Sequence, residues 1–221
     1  MTTIPQDKFP SSEKTRVRVF VDYWNVQLSL NSKEAKARGL DFRFKIDWRS
    51  FGAWLAKKAC QVSGIGDAHY IYDGVIIYTS FNPNTSEGKG FHKWATTWLN
   101  RQPGVRVECF ARKPKGYQKC PLCYEEIALC PHCNQQMKGT IEKGVDTLIA
   151  TDMIRLAWEQ AYDMAVLATS DSDLVPAVQF LHLKGIKVVQ AGFPPIGTDL
   201  ATTCWASFDI YKDRKEIERI P

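Results

Sequence analysis

Acidic residues follow two apolar segments of the sequence, at positions where they could hold a metal ion. Asp22 directly follows residues 16–21, and Asp171 and Asp173 follow residues 164–169. If both segments are central parallel strands, their carboxyl ends meet at one edge of the sheet, where ligands bind in open sheets. Several carboxylates without a matching group of basic residues favour a hard divalent cation, Mg²⁺ or Mn²⁺. We therefore expect a divalent-cation site at this edge.

Asp146 is an independent candidate for the same site. It begins a predicted helix and shares one face of it with Ile149 and Met153, three and seven residues later. An acid at the start of an apolar face must be paired, protonated or bound to a cation. Asp152 points away from that face, on the side of Arg155, and is expected to be solvated.

The same acids allow a purely structural interpretation. Asp171 and Asp173 are good residues for the amino-terminal cap of a helix, and an acid such as Asp146 is favoured in a first helical turn. Asp22 and Asp171 come from distant parts of the chain, which favours the metal site over separate caps. Both interpretations remain open from the sequence.

Four cysteines form a second group that could bind a metal. They lie in two Cys-x-x-Cys pairs separated by six residues: Cys120, Cys123, Cys130 and Cys133. Each pair can direct two thiolates at one ion, and two pairs complete a closed tetrahedral zinc site, which predicts a structural Zn²⁺. Unpaired surface cysteines or an iron–sulfur cluster are the alternatives. Cys60, Cys109 and Cys204 lie among apolar residues and are expected in the core.

Basic residues flank the cysteine pairs. Arg112, Lys113 and Lys115, with Tyr117 beside them, could grip the backbone of a nucleic acid. The alternative is a solvated loop.

An alternation of strands and helices must position these residues. Strands are predicted at residues 16–21, 74–78, 105–110, 164–169, 186–191 and 208–211. Helices are predicted at residues 47–62, 91–99, 145–162, 174–184 and 198–204. This order predicts an α/β fold with a mainly parallel sheet covered on both faces. We expect a flexible tail at residues 1–15 and one domain over residues 16–221, interrupted by a cysteine insert at residues 111–144.

Composition excludes several classes of protein. Of 221 residues, 44% are hydrophobic and 24% are charged, which is unlike a disordered, collagenous or coiled-coil chain. The 29 Lys and Arg against 24 Asp and Glu give a net charge of +5, which permits a polyanionic partner without demonstrating one. No apolar run reaches the roughly 18 residues of a membrane span, and the first residues lack the order of a signal peptide. We therefore expect no membrane partner and a reducing, cytoplasmic location.

Three motifs, in this order along the chain, resemble those of a known family. They are Val-Phe-Val-Asp-Tyr-Trp-Asn at residues 19–25, Lys-Gly-Val-Asp at residues 143–146, and Thr-Ser-Asp-Ser-Asp-Leu-Val-Pro at residues 169–176. Gly-Ile-Lys-Val follows at residues 185–188. Over residues 16–110 and 140–211 the chain resembles the NYN family, PIN-like metal-dependent ribonucleases that include LabA-like bacterial proteins.

The resemblance implies a three-layer α/β/α fold and an acidic pocket that binds Mg²⁺ or Mn²⁺ and hydrolyses RNA. Asp22, Asp146, Asp171 and Asp173 would hold the ion. Asn25 would orient water or phosphate, and Lys143 would contact a phosphate. No acid on an earlier helix matches the second PIN-type acid, and the cysteine insert is not part of the family pattern. Asp152 lies where LabA-like chains often carry an acid.

These observations predict a metal-dependent ribonuclease that acts on single-stranded RNA. One ion would polarise the scissile phosphate and lower the pKa of an attacking water. One rival is a catalytically silent RNA- or protein-binding module with the zinc insert as an adaptor. A weaker rival is a nucleotide phosphohydrolase. A phosphatase with an Asp-x-Asp motif is disfavoured because Trp24 occupies the position of its second acid.

Overall fold

The computed structural model describes residues 14–219. The tail predicted for residues 1–15 therefore lies almost wholly outside the described residues. The described strands are β1 (Thr15–Asp22), β2 (Tyr70–Phe81), β3 (Val105–Ala111), β4 (Lys113–Lys115), β5 (Gln118–Lys119), β6 (Glu126–Ile127), β7 (Gly139–Ile141), β8 (Met164–Ala168), β9 (Lys187–Gly192) and β10 (Ala206–Asp209). The described α-helices are α1 (Tyr23–Arg38), α2 (Phe51–Val62), α3 (Ser86–Lys93), α4 (Val145–Trp158), α5 (Val175–Leu183) and α6 (Thr198–Thr203).

A parallel sheet forms the centre of the molecule, with strand order β10-β9-β8-β1-β2-β3. The chain moves outward from β1 in one direction through β2 and β3, and in the other through β8, β9 and β10. The strand order thus reverses between β1 and β8, and a crevice opens at such a point beyond the carboxyl ends of the strands. Val21 pairs with both Ile77 and Ala168, so three central strands end at nearly the same level.

Helices cover both faces of the sheet, and β1 contributes apolar side chains to the core on each face. Val17, Val19 and Val21 pack in one core with residues of α1 and α2. Phe20, on the opposite face, packs in a second core with residues of α4, α5 and α6. Alternate side chains of a strand point to opposite faces, so one strand can serve both cores. The predicted three-layer α/β/α fold is confirmed.

Helix α1 is absent from the sequence-based prediction, and its buried face explains why. The stripe it buries runs through Val26, Gln27, Leu30 and Glu34, and two of these four residues are polar. The Gln27 amide donates to the carbonyl of Phe44 (2.8 Å), and Glu34 is paired with Arg38 (2.7 Å) and Arg214. Helix prediction depends on apolar residues at regular helical spacing. Polar residues at two of the buried positions interrupt this spacing, so the sequence does not show the helix.

The cysteine insert carries its own small strands, separate from the central sheet. Strands β4 and β7 pair antiparallel where the insert leaves and rejoins the domain, and β5 pairs antiparallel with β6 between them. Among residues 14–219, no helix is long and apolar enough to cross a membrane.

Candidate active site

Asp22 lies at the start of the crevice between β1 and β8. It is the last residue of β1 and the amino-terminal cap of α1. Only 6% of its surface is exposed. The cap hydrogen bond, from the backbone N–H of Asn25, is accepted by Oδ1 (3.0 Å).

The loop after β8 brings further acids to the same edge. The Ser170 N–H donates to Oδ1 of Asn25 (3.0 Å), which ties this loop to the first turn of α1. Asp171 accepts a hydrogen bond from the Asp173 N–H (2.9 Å) and caps a short 3₁₀ helix. Gly197 lies against Ser170 so closely that a Cβ there would be 2.8 Å from it, and only a glycine fits this left-handed position. Asn25 and Gly197 therefore fix the backbone that presents Asp171.

Asp146 enters the site from the first turn of α4. The cap residue of this helix is Gly144, in a left-handed conformation with φ of +87°, and no side chain caps it. Asp146 is therefore free of the structural role that Asp22 and Asp171 have. Its position at the amino terminus of α4 suits a negative charge.

Burial and the charges of neighbouring acids raise the pKa values of Asp22 and Asp146. Burial is the main cause that raises the pKa of Asp22 to about 7, opposed by the Asn25 N–H and reinforced by the charges of Glu142, Asp146 and Asp171. Burial is also the first cause that raises the pKa of Asp146, followed by Asp171 and Glu142 and, more weakly, by Asp173. Asp22, Asp146 and Asp171 thus lie within electrostatic reach of one another, and Asp173 lies within reach of Asp146, in a place that favours a cation.

Glu142 belongs to this acidic group and is absent from the sequence-based prediction. Its carboxylate accepts a hydrogen bond from the Ser80 hydroxyl at the end of β2, and its Oε2 lies 4.0 Å from the Arg112 guanidinium. Arg112 also donates to the Ser80 Oγ (2.8 Å) and lies 5.3 Å from the centre of the Trp24 ring. Glu142 precedes α4 in a segment without hydrophobic periodicity. An acid four residues before Asp146 is the one signal that could have indicated it.

The acids approach one another without forming a closed ligand set. Within residues 14–219, no three His, Cys, Asp or Glu side chains lie close enough together to ligate one ion. Carboxylate oxygens are nevertheless the donors that Mg²⁺ and Mn²⁺ prefer, and Mg²⁺ usually keeps several waters between itself and the protein. The chemistry of the donor set therefore fits such an ion.

The expectation that Asp152 is solvated is wrong. Asp152 is 6% exposed, accepts a hydrogen bond from the Tyr78 hydroxyl (2.9 Å), and forms an ion pair with Arg155 (3.0 Å). Helical spacing correctly places Arg155 beside it but cannot show that Tyr78, on β2, covers the carboxylate. Asp152 is thus a paired, buried residue between α4 and the sheet.

The predicted basic residues occupy different surroundings. Arg112 is half-buried against Ser80 and Trp24, whereas Lys113 and Lys115 are exposed on β4 and Lys143 is exposed just before α4. Lys115 also lines a cleft between the end of β2 and the insert, together with Lys138. Arg112 therefore contacts the acidic group, and the three lysines line the surface around it.

The two cysteine pairs form two copies of one turn. The Tyr124 N–H donates to the Cys120 carbonyl and the Cys120 N–H to the Glu125 carbonyl (both 2.9 Å), and the same bonds recur ten residues later around Cys130. Tyr124 and Asn134 both have a positive φ. Backbone N–H groups of the following residues lower the pKa values of Cys120 and Cys130, with a contribution from the second cysteine of each pair. Such turns favour thiolates, although the two pairs do not meet in the described structure.

The prediction that the remaining cysteines lie in the core is confirmed for Cys60 and Cys204 but not for Cys109. Cys60 and Cys204 are buried and Cys109 is half-buried. Burial raises the pKa of the Cys60 and Cys109 thiols to about 11.

Comparison with known proteins places the chain in a family. The NYN domain matches residues 16–208. The chain is 41% identical over 54 residues to the uncharacterized protein y4oD of Sinorhizobium fredii, and this match covers 24% of the chain and 25% of that relative. The chain thus spans about a quarter of the length of the curated relative it matches. The fold is similar to the crystal structure of a protein of unknown function from Vibrio parahaemolyticus, with a TM-score of 0.53, 17% identity, and coverage of 91% of this chain and 96% of that one.

The NYN match extends from the first residues of β1 into β10 and includes every acid of the crevice. The chain belongs to the NYN domain family.

Proposed function

We propose that this protein is a metal-dependent ribonuclease that hydrolyses phosphodiester bonds of single-stranded RNA. The observation that carries the proposal is the electrostatic proximity of Asp22, Asp146 and Asp171, which come from separate parts of the chain, near the point where strand order reverses, with the pKa of Asp22 raised to about 7. NYN domains are generally nucleases, and the acidic crevice gives that general activity a location.

Each residue of the crevice has a role in this proposal. Asp22, Asp146, Asp171 and Asp173 would provide oxygen ligands, directly or through water, to Mg²⁺ or Mn²⁺. When bound, the ion would polarise the scissile phosphate and lower the pKa of the attacking water. Asn25 holds the Asp171 loop against α1 and donates its backbone N–H to Asp22, so it would position two of the ligands and could also orient water or phosphate.

The surrounding basic residues would bind the RNA strand. Lys143 follows Glu142 directly and is suited to a phosphate beside the acids, while Lys113 and Lys115 would hold the backbone further along β4. Arg112 would balance the charge of Glu142 and, through that contact, keep the edge of the site in place.

We further infer that the insert binds one structural Zn²⁺ through Cys120, Cys123, Cys130 and Cys133. The support is the repeated turn, which prepares two pairs of thiolates in the same way. A reducing compartment such as the cytoplasm would keep these thiols available for the ion.

Cleavage assays test the proposed activity. Purified protein is incubated with end-labelled single-stranded RNA and DNA in Mn²⁺, Mg²⁺ or EDTA, beside the Asp171→Asn variant. We expect cleavage of RNA with a divalent cation, none in EDTA, and none with the variant. RNA binding without cleavage under any condition would instead favour a silent binding module, and phosphate release from free nucleotides would favour a phosphohydrolase.

A further inference from the structure

A cavity of about 700 Å³ lies on the face of the sheet that carries α1, α2 and α3. Its aromatic walls come from three separate segments: Tyr23 from α1, Trp48 from the segment before α2, and Phe91 and Trp94 from the end of α3 and the turn that follows. None of the residues that we place in the acidic crevice lines this cavity.

The aromatic walls form a connected set with exposed edges. Tyr23 stacks on Trp48 with ring centroids 4.5 Å apart, and Phe91 lies 5.0 Å from Tyr23 and 5.7 Å from Trp94. Trp94 stacks in turn on Trp98, which is 39% exposed. Tyr23 and Trp48 are buried, whereas Phe91 and Trp94 are partly exposed, so the set offers an aromatic surface to a ligand.

Basic side chains surround the aromatic walls. Arg43, Lys45 and Arg219 line the cavity and are exposed, and Glu87 is the acid among its lining residues. Arg43 lies against the hydroxyl of Tyr23. An apolar, aromatic interior with cations at the rim suits a ligand that has both a flat ring system and negative charge. Nucleobases with their phosphates have both properties.

The wall of the cavity and the acidic crevice contain two consecutive residues of the chain. Asp22 belongs to the crevice and Tyr23 to the cavity wall, and their Cα atoms are about 3.8 Å apart across one peptide bond. Trp24 joins the two sites a second time, because it lies 5.2 Å from Phe91 while its indole N–H donates to the Ser80 carbonyl (2.7 Å). A nucleic-acid strand could therefore place a base in the cavity and a neighbouring phosphate at the acids.

We propose that this cavity binds an unpaired nucleobase of the RNA strand, stacked against Phe91 and Trp94, with its adjoining phosphates near Arg43, Lys45 and Arg219. The inference rests on the proposed function, since it identifies the substrate class as a strand whose bases are free to leave a duplex. It also predicts that a double-stranded RNA is a poor ligand, because its bases are already stacked and paired.

Two variants test the cavity in different ways. Trp94→Leu removes an aromatic wall. Gly90→Leu adds a side chain at a helical glycine of the wall, where a Cβ would meet nothing within 4 Å, and it removes no native contact. Trp158→Leu is the matched control, because Trp158 is 75% exposed on α4 in the opposite helical layer. Circular dichroism melts show that each variant is folded.

Fluorescence anisotropy in EDTA measures binding of a labelled ten-nucleotide single-stranded RNA, so that cleavage plays no part. A ten-nucleotide strand of abasic sites keeps the phosphates and lacks the bases. A labelled mononucleotide shows whether the protein binds a free nucleotide as tightly as it binds the strand. We expect Trp94→Leu and Gly90→Leu to bind the normal strand about 5- to 100-fold more weakly than the wild type. The wild type should lose affinity for the abasic strand by a similar factor, and Trp158→Leu should behave as the wild type.

Equal binding of the normal and abasic strands by the wild type would overturn the proposal. So would normal affinity in both cavity variants. If the mononucleotide binds as tightly as the ten-nucleotide strand, the cavity is a site for free nucleotides, and the proposal is contradicted as well. If base-dependent binding is found but no cation produces cleavage, the cavity stands and the ribonuclease activity fails. If RNA is cleaved but binding is unchanged in the variants, the ribonuclease activity stands and the cavity fails.

Discussion

Asp22 combines two roles that usually belong to different residues. One oxygen caps α1, which fixes the direction of the side chain, and burial together with neighbouring acids makes its negative charge costly without a cation. Asp146 bears a similar electrostatic cost without capping anything. A cation would relieve both, so the same carboxylates that weaken the cation-free fold would strengthen the loaded one.

The stability of Asp22→Asn in EDTA tests this cost. The pKa of Asp22 rises from 3.8 to about 7 on folding, so its contribution to stability is present below about pH 4 and is lost as the pH rises through about 7. Asparagine caps helices as well as aspartate does. We expect the free energy of unfolding of the variant to exceed that of the wild type by about 1–4 kcal/mol at pH 7.5. At pH 4 the two proteins should have nearly the same free energy of unfolding.

Urea denaturation at the two pH values measures this, with Asp199→Asn, an exposed acid of α6, as the control. A variant that is no more stable than the wild type at pH 7.5 would mean that the charge of Asp22 carries no cost in the folded state.

Glu142 is expected to support the cation from the edge of the site. Glutamine in its place can still accept the Ser80 hydrogen bond but removes the negative charge that raises the pKa values of Asp22 and Asp146. Glu142→Gln should therefore weaken Mn²⁺ binding about tenfold, as measured by calorimetric titration. Glu126→Gln, on exposed β6, is the control. Unchanged affinity in Glu142→Gln would exclude this residue from the site.

The acids of the crevice differ in how far sequence can predict them. Asp22 and Asp171 follow apolar strands, and Asp146 begins an apolar helical face, so local pattern is sufficient to select them. Glu142 and Asp152 owe their surroundings to Ser80 and Tyr78, which lie on β2 more than 60 residues away in sequence. Such long-range partners leave no trace in local periodicity.

At the scale of elements, strands are easier to predict than helices with polar contacts. The central strands are apolar runs because the sheet is covered on both faces. Helix α1 escapes prediction because Gln27 and Glu34 lie in its buried stripe, each satisfied by a partner outside the helix. The predicted start of α2 at residue 47 is four residues early because residues 47–50 form a turn held by Asp47, which accepts bonds from Arg49 and Ser50.

Each cysteine turn supplies two thiolates, and a closed zinc site needs four. We therefore expect neither cysteine pair to bind zinc alone. Purified protein should contain one zinc per chain, and both Cys123→Ser and Cys133→Ser should lose it, because a closed site needs all four thiolates. The central sheet should keep its melting behaviour while proteolysis within residues 118–137 becomes faster. Elemental analysis measures zinc, iron and sulfide, with Cys109→Ser on β3 as the control. A wild type without zinc, or with stoichiometric iron and sulfide, would contradict the zinc site.

Strand β4 should contribute to RNA binding through charge alone. Lys113 and Lys115 are exposed, whereas Arg112 is tied to Ser80 and Glu142. A variant with Lys113→Gln and Lys115→Gln should reduce the slope of log affinity against log salt by about 1.4, at about 0.7 for each single-strand phosphate contact. Lys36→Gln with Lys57→Gln, two exposed lysines of α1 and α2, is the matched control. An unchanged slope would make β4 a solvated strand.

At the scale of the whole molecule, function follows from the order of the strands. The chain moves away from β1 in both directions, so β1 and β8 end beside each other although 149 positions separate Asp22 from Asp171. The acids therefore meet only when both halves of the sheet have formed. On the face of α1, the wall of the aromatic cavity includes Tyr23, the residue after Asp22, so one strand of RNA could reach both sites.

Binding of Mn²⁺ to the zinc-loaded protein tests the central claim most directly. Isothermal titration would compare the wild type, Asp146→Asn and Asp152→Asn, two changes of the same kind on the same helix. We predict one Mn²⁺ per chain in the wild type, at least tenfold weaker binding in Asp146→Asn without loss of cation-free stability, and wild-type affinity in Asp152→Asn, whose carboxylate is already paired with Tyr78 and Arg155. Equal affinity in the wild type and Asp146→Asn, or no binding by either, would contradict a cation site shared by these acids.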